Sequence, residues 1–191
     1  MKKITCVLIL VLILSVSCKS NSVGRVDYKD ETPYMYGMVY DYDNRPVEGT
    51  QIFIGEELIT TSDVQGRFIL DCPNQENEVV LIANKTGYEC VETKITYDPI
   101  NVLYIRLINT QQLLSLAEEN INKMKYSQAE DYLVRALKLS PDREDVIYLL
   151  SIALYKQGKY TDALTNLEKL NNSLLYKKYI EELKKKIEKK L

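Results

Sequence analysis

Between residues 113 and 170 one helical pattern is written twice, 34 positions apart, and few architectures accommodate that. Leu113 returns as Ile147, Leu116 as Leu150, Ala117 as Ser151, Tyr126 as Tyr160, Ala129 as Ala163 and Leu133 as Leu167. The members of each pair are alike in size, and apolar positions recur at helical spacing within each copy. Such a period marks one supersecondary unit that buries its apolar face by stacking on a neighbour. Two units fall short of the roughly three that such arrays usually need, so caps are required. One is written in. From Ser173 a stripe of Tyr176, Ile180, Leu183, Ile187 and Leu191 predicts a capping helix over 173–191. It carries seven lysines (177, 178, 184, 185, 186, 189, 190) against three glutamates. These read as a solvated outer face, with a basic patch for anionic lipid or polymer as the alternative.

Upstream the period changes. Residues 34–108 alternate in short segments: Tyr34–Tyr40, Thr50–Ile54, Leu58–Thr61, Arg67–Asp71, Glu78–Ala83, Glu89–Thr96 and Val102–Ile108. Turn residues separate them, among them Asp43-Asn44-Arg45-Pro46, Asp63-Val64-Gln65-Gly66, Pro73–Asn77 and Lys85-Thr86-Gly87. Seven strands at this spacing predict a small Greek-key β-sandwich. The expected fold is therefore all-β plus all-α in two domains: the sandwich over 34–108, then a short helical array over 111–191. Its repeats fall at about 110–143 and 144–177. Only Asn109-Thr110 separates the two domains, which predicts a fixed mutual orientation.

Composition narrows the chemistry. The chain has no histidine among 191 residues, which removes the commonest general base and the commonest metal ligand. There is also no nucleophile with a base in motif spacing, no glycine-rich phosphate loop and no ligand cluster. The reading is a protein that is not an enzyme and takes no metal or cofactor. Without Lys2 and Lys3 the chain carries 23 basic and 27 acidic residues, a net −4. That balance argues against nucleic acid as a partner.

The amino terminus is a leader. Met1-Lys2-Lys3 precedes an apolar run, Ile4 to Leu14, too short for a bilayer, which takes roughly 20 helical residues. Leu14-Ser15-Val16-Ser17-Cys18 resembles the lipobox of bacterial lipoproteins. The resemblance implies a signal peptide over 1–17 and acylation of Cys18, although Ser15 stands where leucine is usual. Ordinary secretory cleavage at the same bond is the alternative; lipidation is preferred because it accounts for a cysteine directly after the cut. Residues 18–33 then form a polar tether reaching at most roughly 50 Å. This places the folded part on a membrane of the bacterial cell envelope, outside the cytoplasm.

Two further resemblances follow. Gly37-x-Val39-x-Asp41, Arg45-Pro46-Val47-x-Gly49, Gln51-Ile52-x-Ile54, Thr60-Thr61-Ser62-Asp63-x-x-Gly66-x-Phe68 and Gly87-Tyr88 resemble the carboxypeptidase regulatory-like domain. Ser62 replaces the usual threonine. The signature residues make turns and core, and the family name carries no activity. The 34-residue period resembles the tetratricopeptide repeat. Asn120, Leu170 and Leu175 depart from that motif, and Ser140-Pro141 is expected to cap and begin the second copy. Projecting the motif puts Gln111, Leu114, Glu118 and Asn122 of copy one, with Asp145, Tyr148, Ile152 and Tyr155 of copy two, on a groove for a peptide or helix. Contact of these residues with the capping helix or the sandwich is the alternative.

In the first strand, an inward Gly37 and Val39 send Tyr34, Tyr36, Met38, Tyr40 and Tyr42 to the opposite face. Tyr34, Tyr36 and Tyr40 suit stacking of sugars; the plainer expectation is that they pack against the helices or cover an edge strand. Cys72 and Cys90 are the remaining thiol pair. In a simple meander they stand at opposite ends of a strand, roughly 20 Å apart, too far for a disulfide unless the chain crosses between sheets. Two functions follow. One is a lipid-anchored adaptor that binds another envelope protein or peptide through its helices. The other is a carbohydrate or peptidoglycan binder using the tyrosine face.

Overall fold

Among the described residues, seven strands and then five helices follow one another. The computed structural model describes residues 33–71 and 78–190. The leader, Cys18 and the tether through residue 32 lie outside these, as do Cys72, the 73–77 turn and Leu191. Among the described residues no helix is long and apolar enough to cross a membrane.

The strands are β1 (Tyr34–Asp41), β2 (Gln51–Ile54), β3 (Glu57–Thr61), β4 (Arg67–Asp71), β5 (Glu78–Asn84), β6 (Val91–Thr96) and β7 (Leu103–Leu107). All seven fall within two residues of the segments expected from alternation. They form two sheets, β4-β1-β7 and β3-β2-β5-β6. Met35, Val39, Phe68, Leu70, Ile105 and Leu107 of the first share a core with Ile52, Leu81, Ala83 and Ile95 of the second.

The alternation of β1 explains how the first sheet closes. Met35, Gly37, Val39 and Asp41 point inward. Gly37 pairs across the ladder with Phe68, and the Phe68 ring occupies the space a side chain at 37 would take. A Cβ on Gly37 would lie 2.0 Å from Phe68 Cζ. Gly66, at φ +76°, ends the preceding turn, and a Cβ there would meet the Val39 carbonyl oxygen at 2.3 Å. Motif carboxylates hold the turns: Asp41 Oδ1 accepts from the Asp43 and Arg45 N–H groups, and Asp63 Oδ1 from those of Gln65 and Arg67. Buried Ser62 donates to the Val47 carbonyl at 2.7 Å and accepts from the Thr50 N–H at 2.8 Å.

β4, β5 and β6 do not form a simple meander, the arrangement under which the Cys72–Cys90 distance was weighed. β4 pairs with β1 in one sheet while β5 and β6 belong to the other. Asp71, the last residue of β4, pairs with Tyr34. The Glu89 N–H bonds to the Ile108 carbonyl, beyond the opposite end of β1. Cys90 is exposed with a free thiol.

The helices are α1 (Thr110–Asn122), α2 (Tyr126–Leu139), α3 (Glu144–Lys156), α4 (Tyr160–Glu168) and α5 (Lys177–Glu188). The period is kept in three dimensions. Leu113, Ala117, Ala129 and Leu133 are fully buried, and their counterparts Ile147, Ser151, Ala163 and Leu167 are buried too. Buried small residues at 117/151 and 129/163 let paired helices approach closely. Asn109 caps α1 reciprocally: its side chain accepts from the Gln112 N–H while the Gln112 side chain accepts from the Asn109 N–H. Ser140 does not cap the second copy as expected. Helix α3 starts after Arg143, which makes no side-chain cap, and the Ser140 hydroxyl instead bonds that of Thr110 at 2.9 Å. Likewise α5 begins at Lys177 rather than at Ser173, whose hydroxyl accepts from the Tyr176 N–H.

The β region grips the helices at several points, as the short connection requires. Ile108 is buried in the helical core. Gln112 donates to Asp43 at 2.9 Å, and Arg135 of α2 is paired with Glu89. Ile180, Leu183 and Ile187 of α5 close the other end of that core.

Candidate functional site

Helix α3 presents Tyr148, Ile152 and Tyr155 on consecutive turns, the spacing that puts side chains on one face. All three are half-buried. Opposite them α5 supplies Tyr179, Glu182, Leu183 and Lys186, and with Lys156 these residues line a cleft of about 370 Å³. At one end Tyr176 stacks on Tyr148, ring centroids 5.2 Å apart, with Tyr179 tilted against the same ring at 6.2 Å. At the other end Tyr155 leans on Tyr160 at 5.8 Å. Burial pushes the Tyr148 phenol up from its ordinary range, and the charge of Glu182 adds to the effect. The cleft thus combines an aromatic floor with a mixed rim of Lys156, Lys186 and Glu182. It can hold an aromatic or aliphatic side chain by burial and orient a chain through charged groups. Among the described residues no cluster of three or more carboxylates or cysteines could hold a metal ion.

The eight residues projected as a groove do not form one surface. Tyr148, Ile152 and Tyr155 come together as expected, but their opposite wall is the capping helix. Leu114 is buried in the helical core that also holds Ile108, because the β region caps that end of the array. Gln111 and Asp145 are joined through Arg143, which donates to Asp145 at 3.0 and 2.5 Å and to Gln111 at 3.2 Å. This bonding holds the Asp145 carboxyl below the ordinary carboxylate range. Glu118 and Asn122 are exposed on α1, away from the cleft. Sequence reasoning missed Tyr179, Glu182 and Lys186 as lining residues. Tyr176 lay on the apolar stripe of α5, which was the available signal.

The tyrosine face of β1 is not covered by the helices. Tyr34 and Tyr36 are 43% and 52% exposed. Ile69 pairs with Tyr36 and Tyr104 with Met38, so four apolar side chains share that open face with Tyr34. Tyr40 is half-buried, its hydroxyl directed at the Met38 sulfur. For Tyr34 and Tyr36 the expectation of packing on the helices is therefore corrected, whereas Tyr42, just beyond β1, lines a pocket with Gln111, Gln112, Ser115, Leu116 and Glu119 of α1. The helices attach near Asp43, Glu89 and Ile108, at the far end of β1. Cys72, the other half of the thiol pair considered above, lies outside the described residues.

No curated protein matches the chain. Residues 123–174, from the turn before α2 to the turn after α4, match the family model of the tetratricopeptide repeat.

Proposed function

We propose that this protein is a non-catalytic adaptor, anchored by acyl chains on Cys18 outside the cytoplasm, that binds another cell-envelope protein or peptide through its helices. The observation carrying this reading is the cleft of Tyr148, Ile152 and Tyr155 within the stretch that matches the tetratricopeptide repeat. Such repeats generally mediate contacts between proteins. In this reading residues 34–108 are a carboxypeptidase regulatory-like Greek-key domain, and its motif residues serve turns and core. Crosslinking followed by capture from membranes tests it. Captured partners should disappear when Tyr148 and Tyr155 are both changed to alanine, and unchanged capture would refute the cleft as their site. Intact mass tests the anchor: an amino terminus at Cys18 without acyl chains rules it out.

A second reading rests on the open tyrosine face. Tyr34 and Tyr36 stand exposed on one strand face with Ile69, and exposed aromatic rings suit stacking on sugar rings. A glycan array should then show binding that Tyr36→Ala removes; an array without a positive glycan eliminates it.

A further inference from the structure

The turn between α4 and α5 carries two leucines that the fold does not use. Leu174 is 93% exposed and Leu175 74% exposed, while neighbouring Leu170 and Ser173 are buried. The first copy of the repeat shows that the turn has no need of them. At the equivalent positions, 34 residues earlier, it has Ser140 and Pro141.

The surroundings are cationic. Residues 171–190 hold seven lysines and three glutamates, a net +4, whereas residues 4–170 hold 16 basic and 24 acidic residues, a net −8. Lys177 and Lys178 follow the leucines after Tyr176 and stand in the first turn of α5, which contains no acidic residue. A helix start favours acidic side chains, so stability does not call for lysines there. Lys178, Lys185 and Lys189 lie opposite the buried Ile180, Leu183 and Ile187 on the helix. Among the described residues none of these three, nor Lys177, is within ion-pair distance of a carboxylate. Glu182 turns instead toward the cleft beside Tyr148.

We propose that this end of the molecule, Leu174 and Leu175 with the lysines of α5, docks on the surface of an anionic lipid bilayer. The leucines enter the boundary between headgroups and acyl chains, and the lysines meet headgroup phosphates while their stems cover apolar surface. A soluble polyanion has nothing to bury two leucines, and a neutral bilayer has nothing to pair with the lysines. The proposal is independent of acylation at Cys18. The two contacts are compatible on one membrane, since the tether can extend roughly 50 Å.

Vesicle flotation tests it, using residues 19–191. These contain the compact unit 32–191 and neither leader nor acylation site. Vesicles of phosphatidylcholine alone are compared with vesicles containing about one third phosphatidylglycerol, and circular dichroism confirms that each variant is folded. Binding to the anionic vesicles should be at least about tenfold stronger and should weaken in high salt. Changing Leu174 and Leu175 together to serine should reduce it at least about fivefold, and Lys177→Glu with Lys178→Glu should abolish it. The chain has no tryptophan, so Leu174→Trp provides a single probe whose emission should shift to the blue on anionic vesicles. Equal binding to both vesicle types overturns the proposal. So does a loss caused by the lysine changes alone with an unshifted probe, which would mark a polyanion site. An absence of vesicle binding also overturns it, and would leave an acidic protein as the occupant.

Discussion

Arg135 on α2 grips Glu89, in the connection between β5 and β6, with both prongs of its guanidinium: Nε to Oε1 at 2.9 Å and Nη2 to Oε2 at 2.6 Å. The pair is about two-thirds buried or more, with side chains 32% and 25% exposed. Paired geometry of this kind is stronger than an ordinary surface ion pair. Arg135→Ala should therefore cost about 1–2 kcal/mol in urea unfolding. Arg135→Lys, which keeps the charge but loses the fork, should recover less than half of that. Protease cleavage between residues 107 and 112 should also become faster, because the pair fastens the β region to the helices next to that connection.

Gly37→Ala should destabilise the β region by about 1–3 kcal/mol, read from thermal melting. The new methyl group would collide with the Phe68 ring, which already fills the space. Shortening the partner should relieve the clash, so adding Phe68→Leu to Gly37→Ala should cost less than the two changes summed. Additive costs would mean that the glycine is needed for some reason other than the ring.

The repeat makes its own prediction. Leu133 and Leu167 occupy equivalent positions 34 residues apart, and both are fully buried. Each change to alanine should cost about 2–5 kcal/mol. The two values should agree within about 1 kcal/mol if the hairpins are packed equivalently.

Acid should loosen the fold from several turns at once. The Asp145 carboxyl is held below its usual range by the Arg143 side chain and then by the Val146 N–H. That of Asp63 is held down first by the Arg67 N–H, and that of Asp98 by the Asn101 side chain. A folded value below the unfolded one means that the stabilisation is complete above about pH 4–5 and is lost as pH falls through the folded value. Unfolding free energy should therefore decline from about pH 5 to pH 3. Asp145→Asn should remove its own share of that slope, at most about 1 kcal/mol given its partial exposure. An unchanged slope in that variant would show that Asp145 contributes nothing to it.

The two folding periods were legible because each residue reports its own burial. The alternation of β1 places Gly37 and Val39 inward, and the pairing of Ala129 with Ala163 marks where helices touch. What escaped reading depends on which distant element arrives. The sequence of β4 alternates in the same way whichever sheet receives it, so its place beside β1 left no local trace. Leu114 looked like groove lining until Ile108 capped that end of the array. Ser140 carries a good capping signal, but Thr110 competes for its hydroxyl. The cleft was half legible for the same reason: α3 could be projected from the period, whereas the facing of Tyr179 and Glu182 depends on how α5 lies.

The parallel pairing of β1 with β7 has a mechanical consequence. The chain enters at Tyr34 and leaves at Leu107 from opposite ends of one strand pair. Tension applied between the amino-terminal side and the helices therefore runs along the strands. Five registered pairs, from Gly37–Leu103 to Asp41–Leu107, are then loaded in shear and must yield together. An antiparallel pair at the same place would open from one end, one bond after another. This β region is built to bear a lengthwise pull.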